Sequence, residues 1–174
     1  MSASRKTEMD NLEAPDRRRA MQAVRSRDTK PELRVRKRAH AIGLRFRLHR
    51  RDLHGTPDLV FPRRRTALFV HGCFWHGHSE CQRSALPKTN AAFWSAKIEK
   101  NKARDQVATA ALQRLGWKVI VIWECETHST ERIDQLLLPL FRAGDLDGPN
   151  FSLTNINKIA DALKVEPAEL FRKD

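Results

Sequence analysis

The sequence predicts an α/β protein in which a mixed β-sheet is flanked by helices and followed by a short helical tail. Three observations indicate this class. A capped helix precedes three short strand candidates, a long helical stripe follows them, and an apolar strand and a further helix complete the pattern. The 174 residues suit one domain with an appendage and are enough to bury a core.

A helix and three strands come first. Thr29 is placed to cap a helix that runs to Ala41, and Gly43 follows as its stop. Pro31 in the first turn and Glu32 three residues after the cap support this start. Alternating or apolar segments then predict strands over residues 44–48, 57–61 and 66–71, with a turn over 62–65.

The second half of the pattern is a long helix, a strand and a last helix. Thr89 or Asn90 caps a helix that reaches Leu115, and Gly116 ends it. Residues 117–123 are apolar on both faces, which predicts a buried central strand, and residues 130–141 predict the last helix. The buried stripe of the long helix is predicted to contain Trp94, Ile98, Asp105, Ala108, Leu112 and Leu115.

The chain divides into four predicted parts. Residues 1–16 are predicted to form a flexible basic arm, and a short helix is predicted near residues 18–24. Residues 17–143 form the main domain, residues 144–150 a linker and residues 151–174 a separate helical tail.

The positive charge is concentrated in the first part of the chain. Residues 1–70 carry 19 Lys and Arg against 8 Asp and Glu, whereas residues 71–174 carry 14 against 13. Arg binds phosphates in a bidentate geometry, so this asymmetry favours nucleic acid as the partner. The alternative is an ordinary solvated basic surface.

Composition excludes several other classes. No apolar run approaches the roughly 20 residues of a membrane span, and no secretory signal precedes the domain. Three cysteines do not make a disulfide scaffold, so we expect a cytoplasmic protein that does not enter a membrane.

A first chemical cluster surrounds Asp58. An antiparallel hairpin of residues 57–61 with 66–71 would place Asp58 beside Phe69, Val70 or His71. A carboxylate, main-chain carbonyls and water form a normal Mg²⁺ shell, and imidazoles such as His71 and His76 move protons near neutral pH. The alternative makes Asp58 a turn residue and His71 a hydrogen-bonded core histidine.

A second cluster contains soft metal ligands. His78 and Cys81 lie close together in an irregular loop, and Cys125 ends the apolar strand. Imidazole and thiolate are the preferred ligands of structural Zn²⁺, and Asp105 on the long helix could return to the same end. Unrelated buried cysteines are the alternative.

Two Phe-Trp pairs complete the chemistry. Phe74-Trp75 lies in a polar, histidine-rich loop, where such rings can wedge between base steps of a duplex. Phe93-Trp94 lies on the long helix, where core packing of Trp94 is an equal alternative.

Several motifs occur in order between residues 17 and 143. Together they strongly resemble the very-short-patch-repair (Vsr) mismatch endonucleases. The ordered set of motifs is more specific to that family than any single motif would be. The matching segments are Met21, Arg25, Arg27-Asp28-Thr29, Glu32, Gly55-Thr56-Pro57-Asp58, FVHGCFWHGH at 69–78, Phe93-Trp94, Lys97-Ile98, Asn101, Arg104-Asp105, Gly116-Trp117 and Trp123-Glu124-Cys125.

The resemblance implies a restriction-endonuclease-like α/β fold with a modified active site. It implies an enzyme that nicks DNA on the 5′ side of a thymine mispaired with guanine. Double-stranded DNA with a mismatch is the implied partner, mismatch-repair proteins are candidate partners, and we expect a monomer.

The resemblance also assigns residue roles. Asp58 and the main-chain carbonyl of Val70 would hold Mg²⁺, and His76 would activate the attacking water. His71 and Glu32 would be the other catalytic participants, although Glu32 also fits a capping box. His78, Cys81, Asp105 and Cys125 would hold a structural Zn²⁺, and Phe74, Trp75 and Trp94 would form the wedge that enters the duplex.

The chain departs from the family pattern at two places. The family usually has Thr at the position of Val70, where a carbonyl ligand survives and a hydroxyl contact does not. The spacing from His78 to Cys81 is one residue longer than the usual His-x-Cys pair, so the loop must bulge to keep Cys81 on the metal.

The tail resembles a different family. Residues 152–165 and 169–171 are similar to the closing helices of a lambda-repressor-like helix-turn-helix domain, without the part that would contain the recognition helix. We prefer an amphipathic helix that packs on the main domain or on a partner.

Two rival functions are consistent with the same residues. One is a related nuclease that cuts a different sequence or structure. The other is a non-catalytic, zinc-containing DNA-binding module.

Overall fold

Helices cover both faces of a four-stranded mixed sheet in the computed structural model of this chain, which describes residues 27–79, 81–88 and 90–140 and positions 157, 160 and 166. The predicted α/β class is confirmed, and the arrangement is consistent with the restriction-endonuclease-like fold. In chain order the elements are α1 (Lys30–Ala41), β1 (Arg47–Leu48), β2 (Leu59–Phe61), β3 (Thr66–His71), α2 (Ala91–Arg114), β4 (Lys118–Trp123) and α3 (Thr130–Leu137).

Some predicted segments lie outside the described residues. They are the arm at 1–16, the short helix near 18–24, the motif residues Met21 and Arg25, the end of the predicted last helix, the linker at 144–150 and nearly all of the tail at 151–174. Among the residues that are described, no helix is both long enough and apolar enough to cross a membrane.

The sheet brings the ends of three strands to one edge. The strand order is β1-β2-β3-β4, with antiparallel pairing up to β3 and parallel pairing of β3 with β4. Leu59 pairs with Leu68, and His71 pairs with Trp123. The start of β2 and the carboxyl ends of β3 and β4 therefore share one edge of the sheet, where functional side chains commonly gather in such folds.

Two apolar clusters hold the layers together. On one face, Val35 of α1 and Leu137 of α3 pack on Leu68 of β3. On the other face, Leu112 of α2 packs on Phe69, the next residue along the same strand. Successive strand residues point to opposite faces, so both faces of β3 are buried.

The capped start of α1 forms as the sequence predicts. The Thr29 hydroxyl accepts from the N–H of Glu32, and the N–H of Ile42 closes the last turn on the carbonyl of Arg38. Gly43 follows with φ +88°, a left-handed conformation that suits glycine.

Some predicted features differ from the structure. The first strand is confined to Arg47–Leu48, because the N–H of Leu44 donates to the carbonyl of Ala39 and still belongs to the helix end. β4 is the outermost strand of the described sheet and pairs only with β3, whereas the sequence predicts a central strand. Leu115 is half exposed and does not join the buried stripe of α2.

Candidate active site and metal centre

Asp58 lies immediately before β2, against the carboxyl end of β3. The β2–β3 register, continued by one step, places Asp58 opposite Phe69. Its Oδ2 atom accepts a hydrogen bond of 2.7 Å from the N–H of Val70. The hairpin therefore places the Asp58 carboxylate at the end of β3 that contains His71, as the predicted strand register requires.

The Asp58 carboxylate is in an environment that disfavours its charge. Burial raises the pKa of Asp58 to about 6; the Val70 N–H and Arg36 oppose this effect, and the Glu32 carboxylate adds to it. The Glu32 carboxylate is thus close enough to Asp58 for the two negative charges to repel each other. A divalent cation bound to such oxygens would offset the repulsion between them.

Glu32 is held by a network at the start of α1. Its Oε1 accepts from the Thr29 hydroxyl at 2.8 Å, and its Oε2 accepts from the Asp28 N–H at 3.0 Å and from Arg36 Nη2 at 2.8 Å. Arg36 also contacts Asp28 and His49. Asp28, Glu32 and His49 lie close enough together to hold a metal ion, but the guanidinium of Arg36 already supplies the positive charge among them.

Two imidazoles and one carboxylate form a second group at the same edge. His71, the last residue of β3, stacks on His76 with ring centroids 4.0 Å apart, and Nδ1 of His76 lies 2.5 Å from Oδ2 of Asp105. An ionised carboxylate only accepts hydrogen bonds, so Nδ1 of His76 carries the proton and Nε2 is left as the acceptor. Burial, followed by the neighbouring His76, lowers the pKa of His71 to about 4, which keeps its ring neutral at neutral pH.

Asp105 is placed differently from the zinc role that the family resemblance suggests. Its carboxylate contacts His76, and the ligand atoms of His71, His76 and Asp105 all lie within 4.8 Å of one another. The thiol cluster instead gathers around Cys73. Cys73, and not Asp105, therefore lies with the other three residues that the resemblance assigns to zinc.

Cys73, His78, Cys81 and Cys125 form that cluster, with ligand atoms all within 4.8 Å of one another. The Sγ atom of Cys125 lies 3.5 Å from Nδ1 of His78. Three thiols and one imidazole are a usual donor set for tetrahedral structural Zn²⁺, so these residues fit that ion. Burial raises the pKa of the Cys73 thiol to about 12 in the absence of a metal, and a bound metal would reverse that effect.

Cys73 is the ligand candidate that sequence reasoning missed, although its signal was present. It lies in the same irregular loop as His78 and Cys81, five residues before the histidine. The N–H of His78 donates to the carbonyl of Cys73, so the chain makes one turn between the two residues. Three soft ligands within nine residues of one loop indicate a site more strongly than a His/Cys pair alone.

The two groups are connected through Trp123. His71 meets the Trp123 ring edge to face at 5.5 Å, and His78 stacks on the same ring at 4.2 Å with an angle of 1° between the planes. Asn101 of α2 donates to the carbonyl of Trp75 at 2.8 Å and fixes the loop from the other side. The thiol cluster can therefore order the loop that contains His76.

Comparison with known proteins identifies the family. A sequence model described as DNA mismatch endonuclease Vsr matches residues 9–83. The type II nicking enzyme V.XorIIP of Xanthomonas oryzae is 59% identical over 117 residues, which cover 67% of this chain and 85% of that protein. The DNA mismatch endonuclease Vsr of Escherichia coli is 40% identical over 117 residues, 67% of this chain and 74% of that protein. The chain belongs to the Vsr family of DNA mismatch endonucleases.

A further Vsr-family relative extends the comparison. The type II nicking enzyme V.NmeAIP of Neisseria meningitidis is 42% identical over 121 residues, which cover 67% of this chain and 86% of that protein. As a Vsr-family member this chain is a DNA endonuclease, and its substrate is DNA.

The aromatic cluster of this Vsr-family chain has a buried base and an outer layer. Trp94 is 1% exposed, and the rings of Phe74 and Trp75 contact it at centroid distances of 5.3 and 6.0 Å. Phe74 and Trp75 are themselves half-buried. In this structure Trp94 therefore lies beneath Phe74 and Trp75 and packs against both rings.

Proposed function

We propose that this endonuclease nicks one strand on the 5′ side of the thymine of a T:G mismatch, by Mg²⁺-assisted hydrolysis of the phosphodiester. The observation that supports it best is the convergence of Asp58 with His71, His76 and Asp105 at one edge of the sheet. The names of the relatives, a mismatch endonuclease and nicking enzymes, agree with single-strand cleavage at a mismatch.

Asp58 and the main-chain carbonyl of Val70 are the residues we propose to hold the ion. When bound there, Mg²⁺ would polarise a phosphoryl oxygen and lower the pKa of an attacking water. Glu32 lies close enough to influence the charge of Asp58, and its own hydrogen bonds keep it fixed beside that carboxylate.

His76 is the residue we propose to take the proton of the attacking water. Asp105 holds Nδ1 of His76, so Nε2 is free to accept a proton, in the same way that a carboxylate orients the base in catalytic triads. His71 stays neutral beside it, and its stacked ring restricts how His76 can turn.

Phe74 and Trp75 are the rings we propose to open the duplex. Mismatched steps are the easiest to unstack, so a wedge at this position would favour them over paired DNA. Trp94 supports the two rings from below.

A structural Zn²⁺ held by Cys73, His78, Cys81 and Cys125 completes the proposal. The cluster would clip together the loop after β3 and the end of β4, so that the ion contributes to folding and not to chemistry.

The test is strand cleavage by the purified full chain with Mg²⁺. End-labelled duplexes with a T:G pair are compared with fully paired duplexes in several sequence contexts, using Asp58→Asn as the inactive variant and Asp52→Asn as its matched control. We expect a nick 5′ to the mispaired thymine with the parent and the control only. Equal cutting of paired duplexes would show a nuclease of other specificity, and the absence of cutting in every context would show a DNA-binding module.

A further inference from the structure

The edge of the sheet opposite the catalytic residues is basic. Residues 59–79 and 106–123, which contain β3, β4 and the last turns of α2, carry five Lys and Arg and no Asp or Glu. The strand register pairs Thr66 with Lys118, so the turn before β3 and the start of β4 lie side by side at this edge. We use the name basic edge for four exposed cations in these segments, namely Arg63, Arg65, Arg114 and Lys118.

The basic edge is held together by contacts to Arg65. The N–H of Lys118 donates to the carbonyl of Arg65 at 2.8 Å, and Nη2 of Arg65 donates to the carbonyl of Leu115 at the end of α2. The guanidinium of Arg65 also lies over the Trp117 ring, 5.8 Å from the ring centre. Because these contacts already restrict Arg65, the side chain loses less freedom when a ligand binds than a mobile one would.

The charges of the basic edge are not neutralised by the protein. Within the described part of the chain, no carboxylate forms an ion pair with any of these four side chains. Neighbouring cations without a carboxylate among them repel one another, and a bound polyanion would remove that repulsion.

The basic edge is well separated from the catalytic edge. Thr66 and His71 are the first and last residues of β3, and five steps of about 3.3 Å place these two ends about 17 Å apart. That separation is about twice the Debye length of about 8 Å at physiological ionic strength. A duplex bound at the catalytic edge therefore leaves the charges of the basic edge largely unscreened by its phosphates, and a second polyanion can bind there.

We propose that the basic edge binds a second DNA duplex while a first duplex occupies the catalytic edge. Three of its four cations are Arg, the side chain best suited to phosphates, and phosphate contacts require no particular base sequence. An enzyme that contacts two duplexes can pass from one to the other without becoming free in solution. This inference goes beyond the proposed mismatch cleavage and requires only that the enzyme binds DNA.

The experiment measures how fast a bound duplex leaves the enzyme when other duplexes are present. The zinc-loaded full chain, in an Asp58→Asn background and without Mg²⁺, binds a labelled, fully paired duplex and is mixed with rising concentrations of the same duplex unlabelled. Release through free enzyme has a rate that is independent of the unlabelled duplex. Release by direct transfer has a rate that rises in proportion to it, and we expect that rise. Because both duplexes are paired, an error in the proposed mismatch specificity would not affect the result.

Arg63→Gln with Lys118→Gln is the test variant, and it leaves the contacts of the Arg65 side chain in place. We expect the transfer rate to fall by about three- to tenfold, the usual effect of two exposed ion pairs. The slope of its logarithm against log salt should decrease by about 0.9 for each phosphate contact removed. The rate of release without unlabelled duplex should not change.

Lys102→Gln with Arg132→Gln is the matched control. It removes the same formal charge from the protein, but Glu99 and Glu126 already pair with these two side chains. The control should therefore retain the transfer rate. Melting temperature and zinc content show whether each variant is folded.

Four results would overturn the proposal. One is a release rate that does not depend on the unlabelled duplex when the basic edge is intact, and another is a folded test variant that transfers as fast as the control. A third is a test variant that releases the labelled duplex faster when no unlabelled duplex is present, because the basic edge would then contact the first duplex. The fourth is equal acceleration of release by polyglutamate and by DNA, which would assign the basic edge to an acidic protein.

Discussion

Replacement of Asp58 by Asn is expected to stabilise the protein above neutral pH while it removes nicking. Burial raises the pKa of Asp58 from the ordinary 3.8 to about 6. A tenfold change in an equilibrium corresponds to about 1.4 kcal/mol, so the ionised carboxylate costs the folded protein about 3 kcal/mol. The Asn side chain retains an oxygen that accepts from the Val70 N–H, and it avoids this cost because it carries no charge.

The pH dependence of this effect has a definite sign. A carboxyl group with a raised pKa contributes stability below its unfolded value of 3.8, and this contribution is lost as the pH rises through about 6. The variant and the parent should therefore have similar free energies of unfolding near pH 4. The two free energies of unfolding should diverge between about pH 4 and pH 6, and above about pH 7 the variant should be more stable by about 3 kcal/mol.

Urea unfolding followed by tryptophan fluorescence measures the difference at each pH, on zinc-loaded protein without Mg²⁺. Asp52→Asn is the matched control, since Asp52 is exposed and its hydrogen bond to Arg50 lowers its pKa. That control should gain no stability as the pH rises. Mg²⁺ should then stabilise the parent and not Asp58→Asn, because only the parent retains the proposed ligand. An Asp58→Asn variant that is no more stable than the parent at pH 8 would refute this account of the carboxylate.

Three further tests concern separate parts of the structure. Cys73→Ser should lower zinc content and melting temperature, whereas Asp105→Asn should retain zinc and lose nicking activity. Metal analysis that shows equal zinc loss in both variants would indicate that Asp105 is a zinc ligand. Trp75→Ala should reduce the ratio of T:G to paired cleavage in kcat/KM while the protein remains folded, and an unchanged ratio would show that the ring is not part of the wedge. Arg38→Gln should cost about 1–3 kcal/mol in urea unfolding, because it leaves the half-buried Asp134 carboxylate unpaired, and the double variant with Asp134→Asn should recover part of that loss.

The hairpin register and the capped helix could be predicted because local chemistry determines both. The pairing of Leu59 with Leu68 follows from a short turn between two apolar segments, and it alone places Asp58 beside Val70. Thr29 and Glu32 are three residues apart, so the start of α1 depends on no distant contact.

The position of β4 could not be predicted from its apolar pattern. Apolar residues on both faces show that a strand is covered from both sides, and they do not show whether it has one neighbour or two. Ile122 packs on the cluster with α1 and α3, whereas Val121 packs on the cluster with α2. Helices on both faces of the sheet therefore explain why β4 is apolar on both sides although it is the outermost strand of the described sheet.

The role of Asp105 depends on tertiary packing that the sequence does not contain. Asn101 binds the carbonyl of Trp75, and this contact sets which turn of α2 faces the loop. Asp105 lies one helical turn further along the same face, against His76. Spacing along the chain could bring Asp105 to this edge of the sheet, but it could not decide between the imidazole and the thiols.

The longer spacing between His78 and Cys81 does not weaken the thiol cluster. The N–H of Cys81 donates to the carbonyl of His78 at 3.3 Å, a bond between residues three apart that closes the chain in a single turn. The Ser84 hydroxyl then bridges the two ligand residues, because it lies 2.6 Å from each of their carbonyl oxygens and can donate its single hydrogen to either. Two residues between the ligands are the number that such a turn requires, so the additional residue is absorbed by the backbone. The chain should therefore bind one zinc ion, and a Ser84→Ala variant, which removes the bridge but no ligand, should release it faster to a chelator than the parent does.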